Sequence, residues 1–218
     1  MVDLVLASLF LPLSHFLMSS TPLRATLVNL LGERRYSLGY SLLAVAALVW
    51  LIIAYGSAPG LPLWDAPQWL DLALVPVIVV SCVLAVAGLT TPNPVIVRSG
   101  ALFDRPDIVR GVLRVSRNPF FWGAGLFSIA QVIILGDVAG LLTFGSIGFL
   151  GIGGAFILDA KKARQHGGAW DAFAAVTSNI PFLAIIQGRQ QLELREIGVW
   201  RIALGTCLSL GTLVLHRV

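Results

Sequence analysis

Six apolar runs alternate along the chain with short segments that carry almost all of its charge. The runs are Leu4–Met18, Leu38–Tyr55, Leu72–Leu89, Phe120–Leu135, Val138–Leu158 and Ile197–Leu215. A spanning helix needs about 20 mostly apolar residues, because in hydrocarbon every backbone N–H and C=O must be paired inside the segment. The fourth run passes into the fifth through Gly136-Asp137 alone, which predicts a tight antiparallel hairpin. The pattern predicts an all-α fold, a polytopic transmembrane bundle of six spans forming a single domain over residues 1–218.

The segments between spans have patterning of their own. In Thr21–Ser37, Leu23, Leu27, Leu30 and Leu31 fall on one helical face, an amphipathic surface helix that Gly32 would end. After the turn cluster Thr90-Thr91-Pro92-Asn93-Pro94, Ile108, Val112 and Val115 alternate with Arg110, Arg114 and Arg117, which predicts a short interfacial helix. In the last connection Ala169–Val176 reads as a helix with Trp170 and Phe173 on its apolar edge, broken by Asn179-Ile180-Pro181. Together these predict amphipathic cap helices over the cytoplasmic end of the bundle.

Composition agrees with the pattern and excludes a soluble domain. Hydrophobic residues make up 57% of the chain and charged residues 12%, against roughly 45–50% and 25% in soluble proteins. Arg24, Arg34 and Arg35 lie in the first connection on one side. Arg98, Arg105, Arg110, Arg114 and Arg117 lie in the second, and Lys161, Lys162, Arg164, Arg189 and Arg195 in the third. That is 13 of the 15 basic residues in alternate loops. The positive-inside rule then predicts cytoplasmic basic loops and both termini on the periplasmic side. The net charge of +4 follows from this topology and from contact with anionic membrane lipids, not from nucleic-acid binding. The first run has no basic n-region before it and no small-residue cleavage site after it, so it reads as an uncleaved anchor. Cys82 and Cys207 fall inside spans without a C-x-x-C or His-rich neighbourhood, and read as small apolar residues.

Candidate chemistry concentrates in Arg114–Gly123, R-V-S-R-N-P-F-F-W-G. Asn118 suits the cap position of the fourth spanning helix, its side-chain oxygen accepting from the first turn. Pro119 suits the first helical position, where an N–H would be unpaired anyway. The positive helix end beside Arg114 and Arg117 is suited to an anion or polar headgroup; equally, these residues are a helix cap and positive-inside anchors. Trp122 reads either as a belt aromatic or as the wall of a lipid or porphyrin pocket. His15, an ionisable group inside the first span, reads as a ligand or as interhelical glue. Asp159 closes the fifth span as a partner for a basic residue, and the glycines from Gly145 to Gly154 favour close helix packing.

Several segments resemble the NnrU family. They are L-S-H-F-L-M in the first span, R-A-T-L-V-N-L-L-G-E-R-R-Y-S-L-G-Y-S, T-T-P-N-P, R-V-S-R-N-P-F-F-W-G, and D-A-K-K-A-R-Q-H-G-G-A-W-D-A-F-A-A-V-T-S-N-I-P-F-L-A-I-I-Q-G-R. They run in this order along nearly the whole chain. The resemblance implies a bacterial inner-membrane protein associated with denitrification and nitric-oxide metabolism. It also implies kinship with the 15-cis-zeta-carotene isomerases, membrane proteins that use haem b. His15 matches the first-span histidine of those relatives and is the implied metal ligand. Asn118 stands in their Arg-His-Pro element, and Gln131 stands where some carry a further histidine. The implied cofactor-binding set is His15, Arg114, Arg117, Asn118, Trp122 and Gln131. Because asparagine and glutamine are poor iron ligands beside imidazole, the pattern supports a five-coordinate haem on His15 rather than a bis-histidine one.

Three function classes follow. The first is a haem-dependent isomerase or oxidoreductase acting on a lipophilic, polyene-like substrate. The second is a non-enzymatic membrane subunit that binds pigment, haem or a partner complex. The third, from a remoter resemblance to isoprenylcysteine and phospholipid methyltransferases, is an enzyme using S-adenosylmethionine.

Overall fold

The computed structural model describes residues 1–96, 103, 105 and 107–215. Arg98 and Arg217, used in the charge count, lie outside them. Among the described residues there are helices and connections but no strand. The elements are α1 Val2–Ser20, α2 Pro22–Leu31, α3 Glu33–Gly56, α4 Gln68–Thr90, α5 Val112–Val115, α6 Pro119–Leu135, α7 Val138–His166, α8 Gly168–Val176, α9 Leu183–Ile186, α10 Leu194–Ile197 and α11 Val199–Leu215. Every predicted span has its helix. α1, α3, α4 and α7 are long and apolar enough to cross a membrane, whereas α6 is a shorter apolar helix of 17 residues. The chain packs as two compact units, Met1–Asp71 with Ser128–Leu150, and Leu72–Phe127 with Gly151–Val218.

In the first unit α1 and α3 meet through Leu4, Ala7, Leu11, Ala47, Leu51 and Ala54. The rest of α3 faces outward: Leu38, Leu42, Val45, Val49 and Ile52 are exposed. So large a contiguous apolar face calls for a covering of lipid or of another protein. α2 follows its prediction. Thr21 Oγ1 accepts from Leu23 N at 3.2 Å, Pro22 takes the first position, and the helix ends at Gly32 with no buried residue. Glu33, Arg34 and Arg35 are not in the connection but form the first turn of α3, where Arg24 of α2 reaches Glu33 at 2.8 Å. The predicted turn forms at Gly136, whose φ of +61° is open to glycine at no steric cost. Its carbonyl accepts from Leu63 N and Trp64 N, and Asp137 Oδ1 caps α7 by accepting from Gly140 N at 2.6 Å.

In the second unit glycines let the helices approach. A Cβ at Gly123 of α6 would lie 2.6 Å from Ser81 O and 2.7 Å from Ala85 N of α4, and one at Gly151 of α7 would lie 2.8 Å from Phe121 O of α6. Gly205 of α11 packs in the same way on Val83 of α4. The interfacial helix predicted around Ile108, Val112 and Val115 is corrected here. It is reduced to the single turn α5, and both valines are buried among Leu84, Ala87 and Ile197 instead of lying at an interface. Burial inside the protein outcompetes the interface because the apolar ends of α4 and α10 are within reach. The sixth predicted run becomes α11, a helix of 17 residues that begins at Val199, not Ile197, because Gly198 at φ +94° breaks the helix and leaves Ile197 in α10. Lys161 to His166 continue α7 instead of forming a loop. Arg201, the basic residue inside the sixth predicted run, donates to Thr90 Oγ1 and to the Thr90 carbonyl at the end of α4.

Candidate functional site

The Arg114–Gly123 segment is held by interactions that span most of the second unit. Arg117 is fixed at both ends of its backbone: its N–H donates to Ser178 O, and its carbonyl accepts from Asn93 Nδ2 at 2.9 Å. Its guanidinium donates to Asp159 Oδ2 of α7 at 2.8 Å and to the carbonyl and hydroxyl of Thr177. The guanidinium carbon lies 5.3 Å from the ring centre of Trp170. Both partners of the ion pair are only 14% exposed. Such a pair holds together because the charge is shared over several hydrogen bonds as well as the Coulomb attraction.

Asn118 is buried, and it does not cap α6 as the sequence predicts. Its amide nitrogen turns to α7, donating to Asp159 Oδ1 at 2.6 Å, with the Ala155 carbonyl and Asn179 Oδ1 each at 3.3 Å. Its side-chain oxygen, which a cap would use, has no partner. A buried carboxylate is a stronger partner for an amide than a first-turn N–H is, and the amide can turn only one edge to each. Asn179 closes the cluster: its oxygen accepts from Trp122 Nε1 at 2.8 Å, its nitrogen donates to the Ala155 carbonyl, and its own carbonyl accepts from Ser116 Oγ at 2.5 Å. The turn that presents Asn179 passes through Phe182 at φ +65°, a left-handed conformation uncommon for a bulky residue. It is held there by the bond from Phe182 N to Val115 O at 2.9 Å.

Arg114 is placed elsewhere. It reaches Glu196 of α10 through two hydrogen bonds, at 2.8 and 3.1 Å, and Gln190 at 2.8 Å. The Arg114 bonds and the Gly111 N–H hold the Glu196 carboxyl below the ordinary glutamate range, and Glu196 in turn raises Arg114. Both arginines are therefore met by carboxylates, and neither pair offers an uncompensated positive charge to an anion.

His15 and Gln131 belong to the first unit. Gln131 is buried. His15 Nδ1 lies 2.9 Å from the Leu11 carbonyl, and its ring meets Tyr40 edge-on at 5.6 Å between centres. Because a carbonyl can only accept, Nδ1 carries the proton, and in the neutral ring Nε2 holds the lone pair. A ligating histidine is usually oriented in this way, by a hydrogen bond from its other nitrogen.

The structure places Arg117, Asn118 and Trp122 in one polar cluster, together with Asn93, Ser116, Thr177 and Asn179, which were not among the candidate site residues, and it gives Arg114 the partner Glu196, which was not a candidate either. The Asn179-Ile180-Pro181 break was the available signal for Asn179, because an asparagine in a rigid turn is well placed to present its amide.

These features define an all-helical membrane protein with a buried arginine–carboxylate–amide cluster where the basic connections meet the helix ends. The chain belongs to the NnrU family, whose model, described as NnrU protein, matches residues 3–218. It is also 29% identical over 97 residues to the chloroplastic 15-cis-zeta-carotene isomerase of Zea mays. That match covers 42% of this chain and 26% of the relative, so it spans about a quarter of the relative's length. No solved structure matches the chain significantly.

Proposed function

We propose that this NnrU protein acts within the bacterial inner membrane as an isomerase-like enzyme on a lipophilic, polyene-like substrate, with haem b held by His15. The observation that carries the reading is the His15 ring, whose Nδ1 proton is committed to Leu11 O and whose Nε2 is left for a metal. The partial likeness to a carotene isomerase supports the substrate class. Asn118 and Gln131 supply no imidazole, so His15 is the residue that would hold the iron. Haem bound there would supply a redox-active iron. The chain's own part is to fix the histidine tautomer through Leu11 and to hold the ring against Tyr40.

Protein purified after haem-replete expression should show a high-spin Soret band that shifts with nitric oxide and is absent from His15→Ala. A colourless wild-type protein overturns the haem reading. It would leave the second reading, a membrane subunit for a pigment or a partner complex. That reading is favoured by the Arg117–Asp159–Asn118 cluster, whose polar groups are bound chiefly to one another.

The basic loops are proposed to face the cytoplasm and both termini the periplasm. In a Cys82→Ala, Cys207→Ala background, Ser57→Cys should react with an impermeant thiol reagent in intact cells, and Gln165→Cys should react only after lysis. The reverse pattern overturns the orientation.

A further inference from the structure

The connection between α8 and α11 carries large apolar side chains on its surface: Ile186 is 79% exposed, and Ile180, Val199 and Trp200 are exposed as well. We propose that residues 177–198 form a re-entrant elbow that docks into the lipid leaflet on the side of the basic connections, with Ile180 and Ile186 against acyl chains. The depth of the elbow can be read from α4. That helix is 23 residues long, about 35 Å at 1.5 Å per residue, so its ends lie at the edges of a hydrocarbon core about 30 Å thick. Leu84 and Ala87 lie about 9 and 4.5 Å short of Thr90 along the axis. Phe182 and Ile185 pack on the cluster that these two form with Val112, Val115 and Ile197. Asn179 bonds to Trp122, in the first turn of α6, and to the Ala155 carbonyl of α7, a turn before Asp159. α11 starts at the same level. Gly205 packs on Val83 and Arg201 reaches Thr90, so α11 runs antiparallel to α4 with Val199 level with Leu89. Arg201 lies 4.7 Å from the ring centre of Trp200 while its head reaches the end of α4, the posture of a cation and an aromatic at a membrane edge.

Irregular backbone survives at that depth only where its polar groups are met within the protein, and the elbow is built in this way. Ser178 Oγ donates to the Ile180 carbonyl and accepts from Ala184 N. Phe182 N donates to Val115 O, the Phe182 carbonyl accepts from Ile185 N and Ile186 N, and the Ala184 carbonyl accepts from Arg189 N and Gln190 N. The Arg189 guanidinium closes the end of α8 by donating to the Ala175 and Thr177 carbonyls. A connection lying in water could leave such groups to solvent. Ile186, next to the packed Ile185, is therefore exposed at a level where acyl chains are its neighbours, and a water-soluble partner does not reach there. The polar stretch Gln187, Gly188, Arg189, Gln190 and Gln191 then returns the chain to the headgroups, where Arg189 and Arg195 match anionic lipid in charge. The inference needs no haem on His15.

The test uses full-length protein in vesicles of phosphatidylcholine and phosphatidylglycerol, with a nitroxide on a single cysteine in the Cys82→Ala, Cys207→Ala background. Power saturation compares collisions with oxygen, which concentrates in hydrocarbon, and with a neutral nickel chelate, which stays in water. Ile186→Cys should give an oxygen-to-nickel ratio several-fold above that of Gln165→Cys, an exposed site near the end of α7. A ratio at Ile186 equal to that at Gln165 places the elbow in water and overturns the proposal. A label shut off from both reagents means that protein covers the site, and overturns it in favour of contact with a second copy of the chain. If Ile186→Cys does not fold, Ile180→Cys reads the same elbow against the same two limits. The ratio does not depend on which side the termini face.

Discussion

Arg117→Ala should lower the stability of the protein by about 3–5 kcal/mol, the range for breaking a buried ion pair by removing one partner. The loss has two parts. Asp159 would remain buried with its charge met only by amides, and the Thr177 carbonyl and hydroxyl would lose a donor. Asp159→Ala should cost a similar amount and leave the guanidinium and the Asn118 amide without their acceptor. The double variant should cost clearly less than the sum of the two, because each single change leaves behind the same unpaired partner. Thermal unfolding in lipid nanodiscs measures all three. A midpoint for Arg117→Ala close to wild type would mean that the pair is solvated and the cluster does not hold α7 to the connections.

Gly123→Leu should prevent assembly of the second unit. Any Cβ at this position meets backbone atoms of α4 at 2.6–2.7 Å. A backbone cannot rotate aside as a side chain can, so the helices must separate. Overpacking of a core typically costs about 1–3 kcal/mol, and a leucine driven into a helix–helix contact belongs at or beyond the upper end. Gly151→Leu, against Phe121 O and Gly125 N at 2.8 and 3.1 Å, should behave in the same way. Gly39→Ala is the matched control: nothing lies within 4 Å of a Cβ there, and alanine is the better helix former by about 1 kcal/mol. It should therefore be neutral or slightly stabilising. Size-exclusion chromatography and melting curves distinguish these outcomes. A monodisperse Gly123→Leu protein that melts with wild type would show that α4 and α6 are not in contact at that point.

The helices themselves were legible in the chain because their causes are local. A run of apolar residues has one stable form in hydrocarbon, the i, i+4 leucines of α2 and its terminal Gly32 lie within a few residues of each other, and Gly136-Asp137 carries its own turn and cap. The glycines of α7 likewise announced close packing, though not that Gly151 would meet Phe121 O. What stayed hidden depends on which helix faces meet. Nothing near Asn118 in the sequence indicates Asp159 or Asn179, which are 41 and 61 residues away, yet they turn its nitrogen inward and strip it of its role as a cap. Val112 and Val115 read as interfacial because their partners, Leu84, Ala87 and Ile197, belong to other elements. Arg114 read as part of an anion or headgroup site, or as a positive-inside anchor, because Glu196, which supplies its counter-charge, lies 82 residues on. Local periodicity and backbone preference therefore set where the helices lie and what ends them. The tertiary fold alone decided which polar groups neutralise one another, because the strength of a buried hydrogen bond or ion pair depends on which neighbour arrives and on how much water it excludes.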